Sequence, residues 1–210
     1  DRSQRTLADY LRSMPNRNDV RYFVMDMNQV YRDLAHTYLP NATIVIDRFH
    51  VARYVTWALE NVRKRIQKDM HKDKRRYFKR SRRLLLSSRE KLKEEQLEAL
   101  EVMLLQSYDL ATAYHLKEVF YEFMRSKNRS DATKQLRRFI NLAQNSQLNE
   151  FKACLTMLGN WSKYILNAFD CPYSNGFTEG TNHAIKVIKR NAFGYRNFDN
   201  FRNRIFLALT

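Results

Sequence analysis

Glycine and proline are scarce in this chain, and their scarcity limits the folds that are open to it. Only four glycines and three prolines occur among 210 residues, whereas tight turns between strands depend on these residue types. With 44% of the residues hydrophobic, the chain can enclose a core. Apolar residues recur at helical spacing over most of the sequence after residue 48. The sequence therefore predicts a globular protein of one or two domains that is predominantly helical.

Two strand signals near the start of the chain frame a single helix. Val20–Asp26 is β-branched and aromatic, and Ala42–Asp47 is apolar, with a helical pattern over Met27–Tyr38 between them. This order predicts a βαβ unit with parallel strands, and ligands of such sheets bind beyond the carboxyl ends of the strands. One aspartate at a strand end is commonly a helix N-cap. Two aspartates at the same edge favour a functional role for Asp26.

Positive charge is concentrated in one part of the chain. The net charge is +16, and residues 48–83 hold 14 Lys or Arg against three acids, a net +11. Two aromatic residues, Tyr77 and Phe78, stand among the cations of residues 72–83, a pattern typical of surfaces that bind a nucleic acid backbone and stack on bases. We expect this stretch to bind nucleic acid through Arg75, Arg76, Lys79 and Arg80. The alternatives are a solvated basic helix and a surface attracted to anionic lipid.

Helix signals fill the middle of the chain. The helix that begins at Arg48 is expected to run into the basic stretch. A capping box of Ser87 and Glu90 predicts the start of the next long helix. Ser130 is expected to cap a helix that ends at Asn145.

The cysteines and the apolar runs exclude several classes of protein. Cys154 and Cys171 lie 17 residues apart without a zinc-binding spacing, so neither a disulfide framework nor a zinc site is predicted. No apolar run reaches the length of a membrane span, and the first residues are not a signal peptide. We expect a cytoplasmic piece of a longer protein, with no membrane partner.

A polar stripe near the carboxyl end combines one carboxylate with amides and cations. Its members are spaced 4, 3, 4 and 3 residues apart, as on one face of a helix: Asn175, Glu179, Asn182, Lys186 and Lys189. Phe177, Ile185 and Ile188 fall at other angles and are expected to pack. The stripe could face a phosphate-bearing ligand, or it could be a solvated face joined by a Glu–Lys pair.

Several motifs resemble one known family of proteins. Asp47-Arg48-Phe49-His50, preceded by Leu39-Pro40-Asn41-Ala42, resembles the central part of transposases of the ISL3 family of insertion sequences. The run from Ser174 to Arg190, followed by Gly194-Tyr195-Arg196-Asn197, resembles their C-terminal signature in order and spacing. The resemblance is strongest over residues 20–66 and 170–209.

This resemblance implies an α/β fold with a partial ribonuclease-H-like core. Two parallel strands of the core are retained, and a large all-helical insertion makes the chain predominantly helical overall. The implied organisation places the partial core at residues 1–50 and the insertion at 51–169, with its basic part at 63–83. Residues 170–210 are then the C-terminal helices that carry the catalytic glutamate.

The activity implied by the resemblance is cleavage and joining of DNA at the ends of an insertion sequence. Asp26 and Glu179 match two acids of the catalytic triad and are the implied ligands of Mg²⁺ or Mn²⁺, with two ions in the intact enzyme. Asp47 and His50 match a pair that supports the site without ligating the metal. Double-stranded DNA, as element end and as target, is the implied partner of a homo-oligomeric enzyme. The residues placed to hold its phosphates are Asn175, Asn182, Lys186, Lys189 and Arg190.

One part of the family pattern has no counterpart in this sequence. The first aspartate of the triad belongs to an earlier strand, and neither Asp1 nor Asp9 lies in a strand-like segment. We therefore expect this chain to be unable to cut DNA by itself. The alternative function is a non-catalytic, basic helical module that binds nucleic acid, which explains the charge but not the two strand-end aspartates.

Overall fold

The computed structural model describes residues 4–68, 70–80, 82–174 and 176–209, and of Arg80 it describes the backbone only. The chain forms two compact units, Asp1–Pro172 and Tyr173–Thr210. Among the described residues, two strands and eleven α-helices follow in the order α1 (Gln4–Ser13), β1 (Tyr22–Met25), α2 (Gln29–Tyr38), β2 (Thr43–Ile46), α3 (Arg48–Lys68), α4 (Lys72–Arg80), α5 (Arg82–Leu86), α6 (Glu94–Leu104), α7 (Tyr108–Met124), α8 (Arg129–Asn145), α9 (Lys152–Leu166), α10 (Gly176–Asn191) and α11 (Phe198–Leu209).

The sheet consists of β1 and β2, which pair in parallel. Tyr22 lies opposite Thr43 and Met25 opposite Ile46, and α2 forms the crossover between the strands. The predicted βαβ unit and the predominantly helical fold class are both confirmed. Because the last residues of the two strands, Met25 and Ile46, lie opposite each other, the residues that follow them come side by side at the carboxyl edge of the sheet.

The second strand lies deeper in the first unit than the first strand. Ile44, Val45 and Ile46 are all buried, whereas only Met25 is buried in β1. On the side of β2 that faces away from β1, the side-chain amide of Asn167 donates a hydrogen bond of 2.7 Å to the carbonyl oxygen of Ile44.

Aromatic residues from consecutive helices form the centre of the first unit. The rings of Phe120 on α7 and Phe139 on α8 lie 5.1 Å apart, and both side chains are fully buried. Val55, Leu59 and Val62 of α3 are buried in the same core. No helix in the described part of the chain is both long and apolar enough to cross a membrane.

The helix α3 runs into the basic stretch, as expected, but the rest of the stretch lies on α4 and α5. α3 ends at Lys68, and α4 begins at Lys72. The break allows α4 to fold against α3, where the side chain of Gln67 donates a hydrogen bond of 2.9 Å to the carbonyl of Arg75. Phe78 is only 1% exposed as a result. Burial of this aromatic ring explains why the helix does not continue straight.

Two predicted helix starts were wrong. The hydroxyl of Ser87 donates to the carbonyl of Arg83 instead of capping a new helix, and α6 begins only at Glu94, where Gln96 accepts from the backbone N–H of Lys93. Asn128, not Ser130, caps α8, because its extended backbone lets the side-chain oxygen accept from the N–H of Asp131 at 2.9 Å.

The second unit contains α10 and α11. Gly194 has a φ of +97°, the left-handed region that glycine adopts without strain, and its N–H donates to the carbonyl of Lys189 to end α10. No residue of either helix is buried. Phe177, which was expected to pack, is 88% exposed. Two helices of this length enclose too little volume to form a core of their own.

Candidate active site

Three side chains with metal-ligand chemistry converge at the carboxyl edge of the sheet. One ligand atom each from Asp26, Asp47 and His50 lies within 4.8 Å of the other two. Asp26 follows β1 directly, and Asp47 follows β2 directly. The backbone N–H of Asp47 extends the strand ladder by donating to the carbonyl of Met25 at 3.0 Å. Strand register therefore places the two carboxylates next to each other, although they are far apart in sequence.

The two oxygens of Asp47 have different surroundings. Oδ1 accepts a hydrogen bond of 3.0 Å from the N–H of Phe49, so Asp47 caps α3. Oδ2 lies 3.7 Å from Nδ1 of His50, which is in the first turn of the same helix. The N-cap interpretation thus applies to one half of this carboxylate. It does not apply to Asp26, because Asn28 caps α2 by accepting from the N–H of Tyr31.

His50 presents a buried nitrogen to both carboxylates. Its Nδ1 lies 3.2 Å from Oδ1 of Asp26, yet within the described residues this buried atom has no hydrogen-bond partner. Its contacts with Asp26 and Asp47 are thus ion-pair distances only, and a cation held by the nitrogen and the two carboxylates would give this buried atom a bonded partner. One imidazole and two carboxylates form a ligand set that suits Mn²⁺ and, less strongly, Mg²⁺.

Sequence reasoning gave Asp47 and His50 only a supporting role, and that role remains a prediction. The geometry makes them candidate ligands beside Asp26. The signal that could have indicated this is the spacing of the two residues, because positions i and i+3 at the start of a helix lie on the same face. The sequence does not reveal the strand register, and it is this register that places Asp26 beside Asp47 and His50.

The predicted carboxylate of the second unit lies on an exposed helix. Glu179 is in the first turn of α10, and all described members of the polar stripe are exposed: Glu179, Asn182, Lys186 and Lys189, together with Arg190. Among the described residues no cation lies within salt-bridge distance of Glu179, so the alternative of a Glu–Lys pair is not formed. Asn175 lies outside the described residues.

Part of this pattern also has a purely structural explanation. An acid in the first turn and the cations Lys189 and Arg190 in the last turn complement the helix dipole of α10. Such an arrangement stabilises an exposed helix without any ligand. Asp26 belongs to the first unit and Glu179 to the second, and their convergence in one site remains a prediction.

A basic cleft of about 720 Å³ lies between α3 and α4. Seven of its nine lining residues are cations, and one, Asp73, is an acid: Arg63, Lys64, Lys68, Lys72, Arg75, Arg76 and Lys79 are the cations. Arg75, Arg76 and Lys79 were predicted from sequence to bind DNA, whereas the side chain of Arg80 lies outside what the structure describes. The contributions of α3 were missed, because they become part of the cleft only when α4 folds back.

A buried ion pair fixes the position of the basic helix. Arg63, only 5% exposed, donates two hydrogen bonds to Glu60, at 2.6 and 3.0 Å. Its guanidinium also reaches the carbonyl of Phe78 on α4. Burial alone would raise the pKa of Glu60, but the hydrogen bonds and charges of Arg63 and Arg82 together lower it. The pair is therefore ionised and ties α4 to α3.

A second buried charge has no place in the site. Lys117 of α7 is 0% exposed, and its ammonium donates to the carbonyl of Ser87 and pairs with Glu118. It also lies 4.0 Å from the ring centroid of Tyr114. Burial lowers the pKa of Lys117. These contacts attach the segment after α5 to α7 and give Lys117 a structural role.

One known protein family matches almost the whole chain. Residues 1–205 match the ISL3 family of DDE transposases, described as transposase, and the chain belongs to this family. The predicted family is thereby confirmed.

One curated relative that spans almost the whole chain agrees with the family. A transposase for the insertion sequence element IS1001 from Bordetella parapertussis is 28% identical over 212 residues, which is 99% of this chain and 52% of that protein. The chain thus spans about half the length of that relative. An ATP-dependent protease from Lactococcus lactis subsp. lactis is 47% identical over 55 residues, only 25% of this chain and 18% of that protein. That match is too short to indicate a family. No solved structure matches the chain.

Proposed function

We propose that this chain carries part of the catalytic site of a transposase that cleaves and joins DNA at the ends of an insertion sequence. The observation that supports this most directly is the convergence of Asp26, Asp47 and His50 at the sheet edge. Membership of the ISL3 family supplies the reaction class. A basic chain with a net charge of +16 is suited to a DNA substrate.

In this proposal Asp26 and Asp47 hold a divalent cation, Mg²⁺ or Mn²⁺, with Nδ1 of His50 as a third ligand, and Glu179 completes the site in the intact enzyme. The buried nitrogen of His50, which faces both carboxylates without a hydrogen bond, fits this role. Bound divalent ions supply activation of water and stabilisation of the leaving oxygen in an in-line displacement at phosphorus. The protein contributes fixed ligand positions, because Asp47 is held by both the sheet and the start of α3.

The same proposal assigns the exposed cations to the DNA backbone. Asn182, Lys186, Lys189 and Arg190 lie on α10 within three helical turns of Glu179, close enough to hold the phosphates that flank a scissile bond. Asn175 would join them. The basic cleft would bind phosphates farther along the same DNA.

The test is a pair of substitutions in the intact transposase, Asp26→Asn and Glu179→Gln, assayed on end-labelled element DNA. Each should lower the rate of strand cleavage by about 10³-fold or more, because a lost metal ligand removes several kcal/mol of transition-state stabilisation. DNA affinity should remain. Asp9→Asn is the matched control, since Asp9 is an exposed acid whose contact with Arg12 at 3.5 Å is weak.

Cleavage at the wild-type rate by the Glu179→Gln enzyme would remove that residue from the site. If both variants cleave normally, the alternative of a non-catalytic DNA-binding module is favoured. Loss of cleavage with retained DNA affinity supports the proposed catalytic function.

We further propose that the 210-residue chain alone does not cut DNA. The first aspartate of the family triad has no counterpart in its sequence, and Asp9 lies on the helix α1. Nicking of element DNA by the isolated chain would contradict this part of the proposal. A homo-oligomeric state of the intact enzyme remains a prediction, which light scattering tests.

A further inference from the structure

The basic helix α4 borders a second, apolar hollow beside the basic cleft. This apolar notch has a volume of about 320 Å³ and is lined by Asp73, Lys74, Tyr77, Phe78, Val102 and Gln106. Asp73 also lines the basic cleft, so the two hollows adjoin along neighbouring faces of α4. A volume near the lower end of the roughly 300–1,000 Å³ of ligand pockets suits one small planar group.

An aromatic ring is held in place at the notch. Tyr77 is 40% exposed, and its hydroxyl donates a hydrogen bond of 3.1 Å to the carbonyl of Ala99 on α6. The buried ring of Phe78 packs edge-on against it, with centroids 6.3 Å apart. Both contacts fix the tyrosine ring before any ligand arrives, which reduces the entropy lost on binding.

The helix α4, which separates the two hollows, is held in place by contacts with α3. Gln67 of α3 donates to the carbonyl of Arg75, and the buried pair of Arg63 and Glu60 reaches the carbonyl of Phe78. Cleft and notch therefore keep a fixed spacing on one rigid helix. Lys74 adds a cation at the border of the notch.

Charge and shape together identify the occupant. Arg63 is paired with Glu60, and the other six cations that line the cleft make it complementary to a phosphate backbone. An aromatic ring within reach of that backbone is the usual platform for a base that has left its stack. In an intact duplex the bases are stacked inside the helix and cannot enter a pocket of this kind.

We propose that the notch binds one unstacked base of DNA whose backbone lies in the basic cleft, so that this surface recognises DNA with an unpaired base over intact duplex. The inference rests on the proposed function for the identity of the ligand as DNA. It adds that the DNA contains an unpaired base, and it assigns the stacking of this base to Tyr77.

The test uses the 210-residue chain without divalent cations and two fluorescein-labelled DNAs, one intact duplex and the same duplex with a single extra, unpaired base. Fluorescence anisotropy gives both affinities. The wild-type chain should bind the bulged duplex about five-fold or more tightly than the intact one, since one base–aromatic stack contributes at least that much.

Variants separate stacking from charge. Tyr77→Ala should abolish the preference and leave the affinity for intact duplex unchanged, whereas Tyr77→Phe keeps the ring and should keep the preference. Tyr108→Ala is the matched control, because Tyr108 is 86% exposed and lines a different hollow. Arg76→Ala should weaken the binding of both DNAs and reduce the salt dependence. Circular dichroism of each variant verifies that it is folded.

Three outcomes overturn the inference while leaving the proposed function intact. The wild-type chain could bind both DNAs equally, or Tyr77→Phe could lose the preference as completely as Tyr77→Ala. An equal loss on Tyr108→Ala would likewise remove Tyr77 as the stacking platform. Failure of the wild-type chain to bind either DNA at low salt would instead contradict the DNA-binding part of the proposed function itself.

Discussion

The two places that carry the predicted catalytic carboxylates are built in opposite ways. In the first unit, Asp26 and Asp47 emerge from paired strands and meet His50, whose nitrogen is buried. In the second unit, Glu179 lies on a helix without a buried residue. The side chain of Asp47 is 11% exposed and that of Asp26 is 51% exposed, whereas every described member of the polar stripe on α10 is exposed.

The difference lies in what holds each side chain. Backbone pairing sets the positions of Asp26 and Asp47, and the cap of α3 also holds the carboxylate of Asp47. The polar side chains described on α10 are exposed, and none of its residues is buried. The strand-end cluster is therefore the more preorganised of the two places.

The largest expected contrast is in folding stability. Phe120→Ala in the first-unit core should lower the free energy of unfolding by about 3–5 kcal/mol, because the residue is fully buried. Phe177→Ala on α10 should change it by no more than about 0.5 kcal/mol. Urea denaturation of both variants measures the difference. Similar destabilisation by the two substitutions would show that α10 packs as tightly as the core.

The next largest contrast is in metal affinity, which should depend on the histidine of the strand-end cluster and not on the histidine of α10. His50→Ala should weaken Mn²⁺ binding to the chain by at least about 10–100-fold, because a candidate ligand is lost. His183→Ala is the matched control, since His183 is an exposed histidine on α10. Isothermal titration calorimetry gives both constants without an activity assay. Unchanged binding in the His50 variant would exclude it as a ligand.

Salt dependence of DNA binding should distinguish an exposed lysine from a buried one. Lys186→Ala should reduce the slope of log affinity against log salt by about 1, as expected for a lost phosphate contact. Lys117→Met should leave the slope unchanged, because Lys117 is 0% exposed. Titrations at several salt concentrations provide the slopes. An unchanged slope for the Lys186 variant would remove that residue from the DNA interface.

The smallest expected effect is a pH dependence of stability from the buried lysine. Because burial lowers the pKa of Lys117 in the folded state, its charged form opposes folding below that pKa. The opposition disappears as the pH rises toward the ordinary value of 10.5. The stability of the wild type relative to Lys117→Met should therefore increase from neutral pH toward 10.5. Lys186→Met, at an exposed position, should show no such trend in denaturation experiments.

Much of the fold could be predicted from local sequence signals. The β-branched runs before Asp26 and Asp47 gave the strands, and the helical spacing between them gave a parallel pair. Caps were harder to predict, because several polar residues near one helix start compete for the same N–H groups. Asn128 caps α8 instead of Ser130 because its backbone is extended. This conformation cannot be read from the sequence.

The candidate site could be predicted only in part, because it too depends on conformation that the sequence does not display. Residue types identified Asp26, Asp47 and His50, but their meeting depends on the register of Met25 with Ile46. The basic cleft depends on the reversal between α3 and α4, a tertiary event driven by burial of Phe78. Local charge patterns predict which residues are basic, not which of them share a concave surface.

The hydrogen bond from Asn167 to Ile44 limits how the sheet can grow. A further strand added beside β2 would need the carbonyl of Ile44, and this acceptor is already occupied by a side-chain amide. Edge-to-edge association with another molecule is disfavoured there, as it is wherever a protein covers an exposed strand. A single side-chain amide is thus enough to close the outer edge of β2 at Ile44.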